Sequence, residues 1–405
     1  MTELRRQIIK ADDSPSIDAF ARWRTSEPFT IFDSKQIHDN QPLFWDDSET
    51  SGSGTSSAHS TDEAATTISV GATTAGTRVR QTFQRFNYQP GKSQMILCTW
   101  GEFDTSTGIT KRVGYFDGDN GLFFQSDEGI VSVVRRTHVT GSAVDNAVAQ
   151  SSWNLDHMDG AADANNPSGI NLDFTKTQIG FIDFEWLGVG RVRMGFVIDG
   201  IPVYCHEFNN ANSLTAVYMS TPNLPVRYEI LNDGTGSADD FVHICSSVQS
   251  EGGQDKNGIL RHDDSGSVSG LSTGTTYAIL GIRLKSGNLD GIVDLENLSL
   301  ISTTTNDQAH WELRFNPTVA GTFTYADQTN SIVQTAGGSS SNTVSGGTAI
   351  DGGYFSTALP VSPTIPNALR LGSDISGTVD EIVLTCTPIT NNITVQASLT
   401  WRELS

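Results

Sequence analysis

Long apolar runs are what this chain of 405 residues most plainly lacks. Stretches such as residues 278–282 and 195–198 fall far short of the roughly eighteen that a membrane-spanning helix needs, so no membrane insertion is expected. Positive charge is also short: 25 Lys and Arg stand against 46 Asp and Glu, a formal net charge of −21. A surface so acidic repels phosphate backbones, which argues against nucleic acid as a partner. Cysteine is sparse. Cys98, Cys205, Cys245 and Cys386 lie far apart, each inside a β-like run, with no paired Cys-x-x-Cys and no His at zinc-ligand spacing. They read as buried free thiols, with no metal and no cofactor expected. Charged residues make up only 18%, too few for a disordered or coiled-coil chain. Residues 1–10 carry positive charge without a following apolar block, so no secretory signal is read there and synthesis in the cytoplasm is expected.

What is present is turn chemistry. There are 39 Gly and 13 Pro, with Ser, Thr, Asn and Asp spread throughout, and strand-like runs recur about every ten residues from Thr66 onward. The chain is therefore expected to be all-β: tandem antiparallel sandwiches, the first a concanavalin-like jelly roll, preceded by an extended N-terminal arm. The expected boundaries are an arm over 1–50, a jelly roll over 51–250, a linker over 251–272 and a second sandwich over 273–405. Residues 112–125 read as a hairpin about Asp117-Gly-Asp-Asn-Gly121, and residues 178–208 as a three-stranded meander with Gly turns. Residues 141–171 and 337–353 read as polar excursions. In residues 1–50 neither strand nor helix period is sustained, yet Trp23, Phe29, Phe32, Phe44 and Trp45 are costly to leave in water. Two shelters are open to them, the chain's own sandwich or a neighbouring subunit, and the second makes them an assembly arm.

One constellation looks enzymatic. Phe181-Ile-Asp-Phe-Glu-Trp-Leu-Gly188, followed by the hairpin through Asp199-Gly200, resembles the catalytic strand of laminarinase-type glycoside hydrolases of the concanavalin-like class. In that family the strand reads Glu-x-Asp-x-Glu, and strand alternation puts three acids on one face for a retaining mechanism. Here Phe181 stands at the first acid's position, while Asp183 and Glu185 match the other two. Without a carboxylate nucleophile no glycosyl-enzyme can form, so no enzyme activity is expected. Asp183, Glu185 and Trp186 remain a candidate glycan-binding set on the concave sheet. Asp117-Gly-Asp-Asn-Gly121 lacks the spacing of a calcium loop and reads as a turn. His206 and Glu207, adjacent on a strand, face opposite ways and cannot chelate together.

A wider resemblance runs over most of residues 20–250. It is carried by residues 22–36, by Gln41-Pro-Leu-Phe-Trp-Asp-Asp47, and by Phe83-Gln-Arg-Phe-Asn-Tyr-Gln-Pro-Gly-Lys92. Glu185-Trp-Leu-Gly-Val-Gly-Arg-Val-Arg193 and Val217-Tyr-Met-Ser-Thr-Pro-Asn-Leu-Pro225 complete it. In these segments the chain resembles bacteriophage virion structural proteins. The resemblance implies a virion location on tail, neck, baseplate or capsid surface. It implies other virion proteins as partners, and a homo-oligomer, a trimer by preference. The concave sheet adds a host-surface glycan as a possible ligand.

Overall fold

The computed structural model describes residues 27–303, 305–357, 370–390 and 392–404. Alternating apolar residues build two pairs of facing sheets. In the first pair, the front sheet runs Ile201–Phe208, Val192–Ile198, Gln178–Phe184, Gln94–Gly101, Asp239–Ser250, Ala65–Val70 and Thr55–Ser60. The back sheet runs Val144–Ala149, Ile130–Thr137, Gly121–Asp127, Ile109–Phe116, Val226–Asn232, Gly76–Thr82 and Trp45–Gly52. Every neighbour within these sheets is antiparallel. Each strand sends every second residue inward, so Ile96, Trp100, Ile182 and Phe196 of the front sheet meet Val113, Tyr115, Phe124 and Tyr228 of the back in one core. The meander and the hairpin are formed as the turn residues predict.

The second pair repeats the plan. Ile259–Asp264, Val268–Leu271 and Ile292–Ser302 flank the long strand Ile393–Leu404. The facing sheet contains Val333–Gly337, Tyr277–Leu284, Glu381–Pro388, Gln308–Phe315 and Thr348–Ser356. Leu298, Leu399 and Trp401 on one side pack against Ile282, Leu313 and Leu384 on the other. The architecture is therefore all-β, two antiparallel sandwiches in tandem, the first of jelly-roll type. No helix among the described residues is long and apolar enough to cross a membrane.

Four segments differ from the sequence reading. The arm expected over 1–50 is, from Phe29 onward, part of the first sandwich. Phe29–Lys35 pairs with Asp239–Ser250 in the front sheet, and Trp45–Gly52 pairs with Gly76–Thr82 at the edge of the back sheet. The linker expected over 251–272 holds two strands that pair with Ile393–Leu404, so the second sandwich begins near Ile259. The excursion at 337–353 contributes most of the edge strand Thr348–Ser356, and that at 141–171 contributes Val144–Ala149.

The aromatic residues of the supposed arm are divided by this arrangement. Trp23 lies outside the described residues. Phe29 stays 48% exposed on its strand. Phe32, at 7%, and Trp45, at 2%, are core residues of their own sandwich, and Phe44 packs against Phe32 with ring centroids 5.9 Å apart. The assembly role expected of Phe32, Phe44 and Trp45 is thus corrected: each is already sheltered by its own chain. Burying a side chain of this size stabilises by roughly 2–3 kcal/mol, which is reason enough for the segment to fold inward.

Polar contacts fix the same segment. The Trp45 indole Nε1 donates to Ser34 Oγ at 2.8 Å, and its ring meets the His243 ring at 4.4 Å and lies 5.2 Å from the Arg80 guanidinium. Arg80 is fully buried and donates to Asp47 (3.2 Å), Gln36 Oε1 (2.8 Å) and His243 Nδ1 (3.1 Å). Burial, with Arg80 beside it, holds His243 well below its ordinary value, so the ring is neutral and its Nε2 hydrogen is directed at Ser246 Oγ, 3.2 Å away.

Candidate functional site

Strand Gln178–Phe184 presents Ile182 and Phe184 to the core and Phe181 and Asp183 to the outer face of the front sheet. The register aligns Phe181 with Gly195, and Gly195 with Tyr204. Gly195 is required there: a Cβ would stand 2.8 Å from the Phe181 ring and 2.2 Å from the Val203 carbonyl oxygen. The Phe181 ring instead lies edge-on to Tyr204, centroids 5.0 Å apart. One row along, Asp183 faces Arg193. Its carboxylate takes Ser93 Oγ–H at 2.8 Å, Tyr204 O–H at 2.9 Å and an ion pair with Arg193, whose guanidinium also covers the Tyr204 ring at 4.3 Å. Burial, then the neighbouring Asp183, pushes the Tyr204 phenol up to about 12, so it stays a donor. The acid is thus consumed within the protein, with three partners for its two oxygens.

Glu185 and Trp186 do not join it. The strand ends at Phe184, and Glu185 turns back within its own tight loop, its carboxylate accepting the Arg191 N–H at 3.2 Å. Trp186 lies beyond the strand's end, its Nε1 donating to the Met219 carbonyl at 3.1 Å and its ring 6.4 Å from that of Tyr88. The three residues proposed as one glycan-binding set therefore sit in three settings. His206 and Glu207 do face opposite ways: His206 is buried and takes the Asn154 N–H, while Glu207 reaches Arg191 at 3.6 Å. Asp117 caps its own turn, accepting the N–H groups of Asp119 and Asn120 at 2.8 Å and pairing with Arg85 at 2.6 Å.

The place where unusual groups do gather is the seam between the sandwiches. Residues 83–92 and 217–225 are loops without strand period, held together by Tyr115, whose hydroxyl accepts the Leu224 N–H (3.1 Å) and faces the carbonyls of Phe86 and Pro222 at 3.0 Å. Asn223 takes the Tyr88 N–H on its Oδ1 and donates to the Asp290 carbonyl of the second sandwich at 3.2 Å. Lys92 pairs with Asp255 at 2.7 Å, and Gln89 exchanges two hydrogen bonds with the Asp255 backbone. Farther along, the N–H groups of Ser373 and Ile375 bond the Phe83 carbonyl and the Asp46 carboxylate. Next to them Asp380 is buried, and that burial lifts its carboxyl to about 6 despite the bond from Asn316. Between the sandwiches lies a hollow of about 320 Å³, walled by Trp186, Tyr88 and Pro222 on one side and by Asn288, Asp290 and Leu404 on the other.

Of the seam's residues, the sequence offered Trp186 as a candidate site residue and placed Tyr88 and Asn223 inside two of the segments that resemble virion proteins, while nothing in it pointed to Asn288 or Asp290.

No family model matches the chain. No curated protein matches it either. Solved structures do resemble it over about half its length. A Bacillus licheniformis β-glucanase aligns at 11% identity and a TM-score of 0.35, covering 54% of this chain and 96% of that one. The potassium-bound carbohydrate recognition domain of Emp46p aligns at 10% and 0.31, covering 53% and 94%. A Bacteroides ovatus GH16 protein in complex with a G4G4G3G product aligns at 10% and 0.33, covering 54% and 99%. Likenesses this faint say nothing about activity.

Proposed function

We propose that the protein is a non-enzymatic structural component of a bacteriophage particle, assembling with other virion proteins and with copies of itself, as a trimer by preference. One observation carries this reading. Two of the segments through which the chain resembles virion proteins, residues 83–92 and 217–225, bond the first sandwich to the second, and a third, residues 185–193, lines the hollow between them through Trp186. What the resemblance picks out is thus a joint in a building block. The first sheet's acids point the same way: Phe181 occupies the place of a nucleophile, and Asp183 is tied up by Arg193, Tyr204 and Ser93. A net charge of −21 keeps such a subunit soluble until it meets its partners. With Phe32, Phe44 and Trp45 enclosed, the anchoring part narrows to residues 1–26, which include Trp23.

The test is particle composition. Antibody raised against the recombinant chain is expected to label density-purified phage particles from a lysate of the strain carrying the gene, at regular positions in negative stain. A chain that is abundant in the lysate and absent from the particles overturns the reading.

A further inference from the structure

Asp380 is the misfit where the two sandwiches meet. It is 3% exposed; Asn316 Nδ2 donates to its Oδ1 at 2.8 Å, and its Oδ2 is buried without a hydrogen-bond partner. No cation among the described residues pairs with it: Arg370, nearby in the chain, is spent on Asp294 at 2.9 Å, and Arg283 on the adjacent Glu381 at 2.9 Å. An ionised carboxylate is costly there, because neither a charge nor a donor replaces the water that its free oxygen has lost.

Its surroundings raise that cost. Asp380 follows the turn 372–379, by which the second sandwich grips the first: the Ser373 N–H bonds the Phe83 carbonyl at 3.2 Å and the Ile375 N–H bonds the Asp46 carboxylate at 2.7 Å. Gly372 is wedged so closely that a Cβ would stand 2.2 Å from the Phe83 oxygen and 3.2 Å from Asp380 Oδ2. An acceptor of the first sandwich and the free oxygen of Asp380 thus flank one glycine. The titratable groups that act on Asp380 are Asp374, in the turn itself, and Asp46, on strand Trp45–Gly52 of the first sandwich, and both are acids. Burial first, then these two charges, lift its carboxyl to about 6 against the pull of Asn316 and the Gly372 backbone.

Two agents can relieve such a charge, a metal ion or a proton. Among the described residues no three Asp, Glu, His or Cys side chains are placed to hold a metal. A proton suffices: it removes the charge and gives Oδ2 a hydrogen to donate. We infer that the contact of Asp380 and the turn 372–379 with Asp46 and Phe83 is a proton-operated latch between the sandwiches, closed while Asp380 is neutral and loosened when it ionises. In the closed latch the proton stays until about 6, whereas an opened, hydrated Asp380 releases it near its ordinary 3.8. Closure is therefore strongest below about pH 4, weakens as pH rises to about 6 and changes little beyond; the gap between the two values is worth about a hundredfold in the opening equilibrium.

The test is hydrogen exchange of the full chain by mass spectrometry, read on peptides covering residues 372–376 and corrected for the intrinsic effect of pH. Their protection is expected to fall by up to about a hundredfold between about pH 4 and about pH 7, while the core strand Gln178–Phe184 keeps its own. Asp380→Asn, neutral at every pH and of the same shape, should retain at about pH 7 the protection that the unaltered chain shows at about pH 4. Asp46→Asn, which removes the facing charge, should move the midpoint of the profile to lower pH. Flat protection in the unaltered chain, or a fall that survives in Asp380→Asn, overturns the latch. Should Asp380→Asn fail to fold, an unmoved midpoint in Asp46→Asn overturns it alone.

Discussion

Glu229 shows what the acidic composition conceals at the scale of single residues. It stands on the outer face of the back sheet, buried between Arg112 at 2.5 Å and Arg227 at 2.5 Å. Burial alone would raise its carboxyl; the two guanidinium groups overcome that and set it at about 2, against an ordinary 4.5. A carboxyl depressed on folding contributes stability that is complete above about pH 4.5 and disappears as pH falls through 2. The contribution is on the order of 3 kcal/mol. Glu229→Gln is therefore expected to lose about 2–3 kcal/mol at pH 6 and almost nothing near pH 2, by urea denaturation at the two pH values. An equal loss at both would mean the side chain serves by shape alone. Asp183 is paired on the opposite sheet, but Arg193 keeps nearly a third of its side-chain surface in water, so that pair contributes less.

For strands and loops, the consequence lies at the amino-terminal end. Removing residues 1–26 takes away none of the described strands. Removing residues 1–47 takes away Phe29–Lys35, Phe32 and Trp45 and strands Arg80 and His243 without Gln36, Asp47 and the indole. Losses of that size rival a domain's whole stability of about 5–15 kcal/mol, and the expected product is unfolded or aggregated. A native-like spectrum from the longer deletion would contradict the placement of this segment.

The same elements show how far the sequence could be read. The hairpin at residues 109–127 was legible because Asp117-Gly-Asp-Asn-Gly121 separates two aromatic runs, and the meander at 178–208 because Gly188 and Asp199-Gly200 break long alternating stretches. Phe29–Lys35 was hidden by a bulge between Thr30 and Phe32 that breaks the two-residue period, and Trp45–Gly52 by another between Glu49 and Ser51. Thr55–Ser60, with the sequence Thr-Ser-Ser-Ala-His-Ser, has almost no apolar side chain to betray a strand; it exists because Ala65–Val70 pairs with it. Of the candidate site, Trp186 was visible as an aromatic beside Asp183 and Glu185. Its partners Asn87, Asn223 and Asp290 are ordinary turn residues whose meeting depends on how two sandwiches abut, which no local pattern encodes.

Taken whole, the molecule is two cores linked through polar loops. Asn223 and the backbones of Ser373 and Ile375 cross the seam and Trp186 lines it, so heating should unfold both sandwiches in one calorimetric transition. Combining Asn223→Ala with Trp186→Ala is expected to separate it into two, the second sandwich keeping its own melting temperature. A single unshifted transition in that double variant would show that the seam carries no coupling. One further property follows from how the front sheet receives the amino-terminal end. Phe29–Lys35 is stitched along its length to Asp239–Ser250. A tug on residue 27 in line with that strand therefore strains all of its rungs together, and a tether fastened in this way resists far more force than one that peels from a free corner.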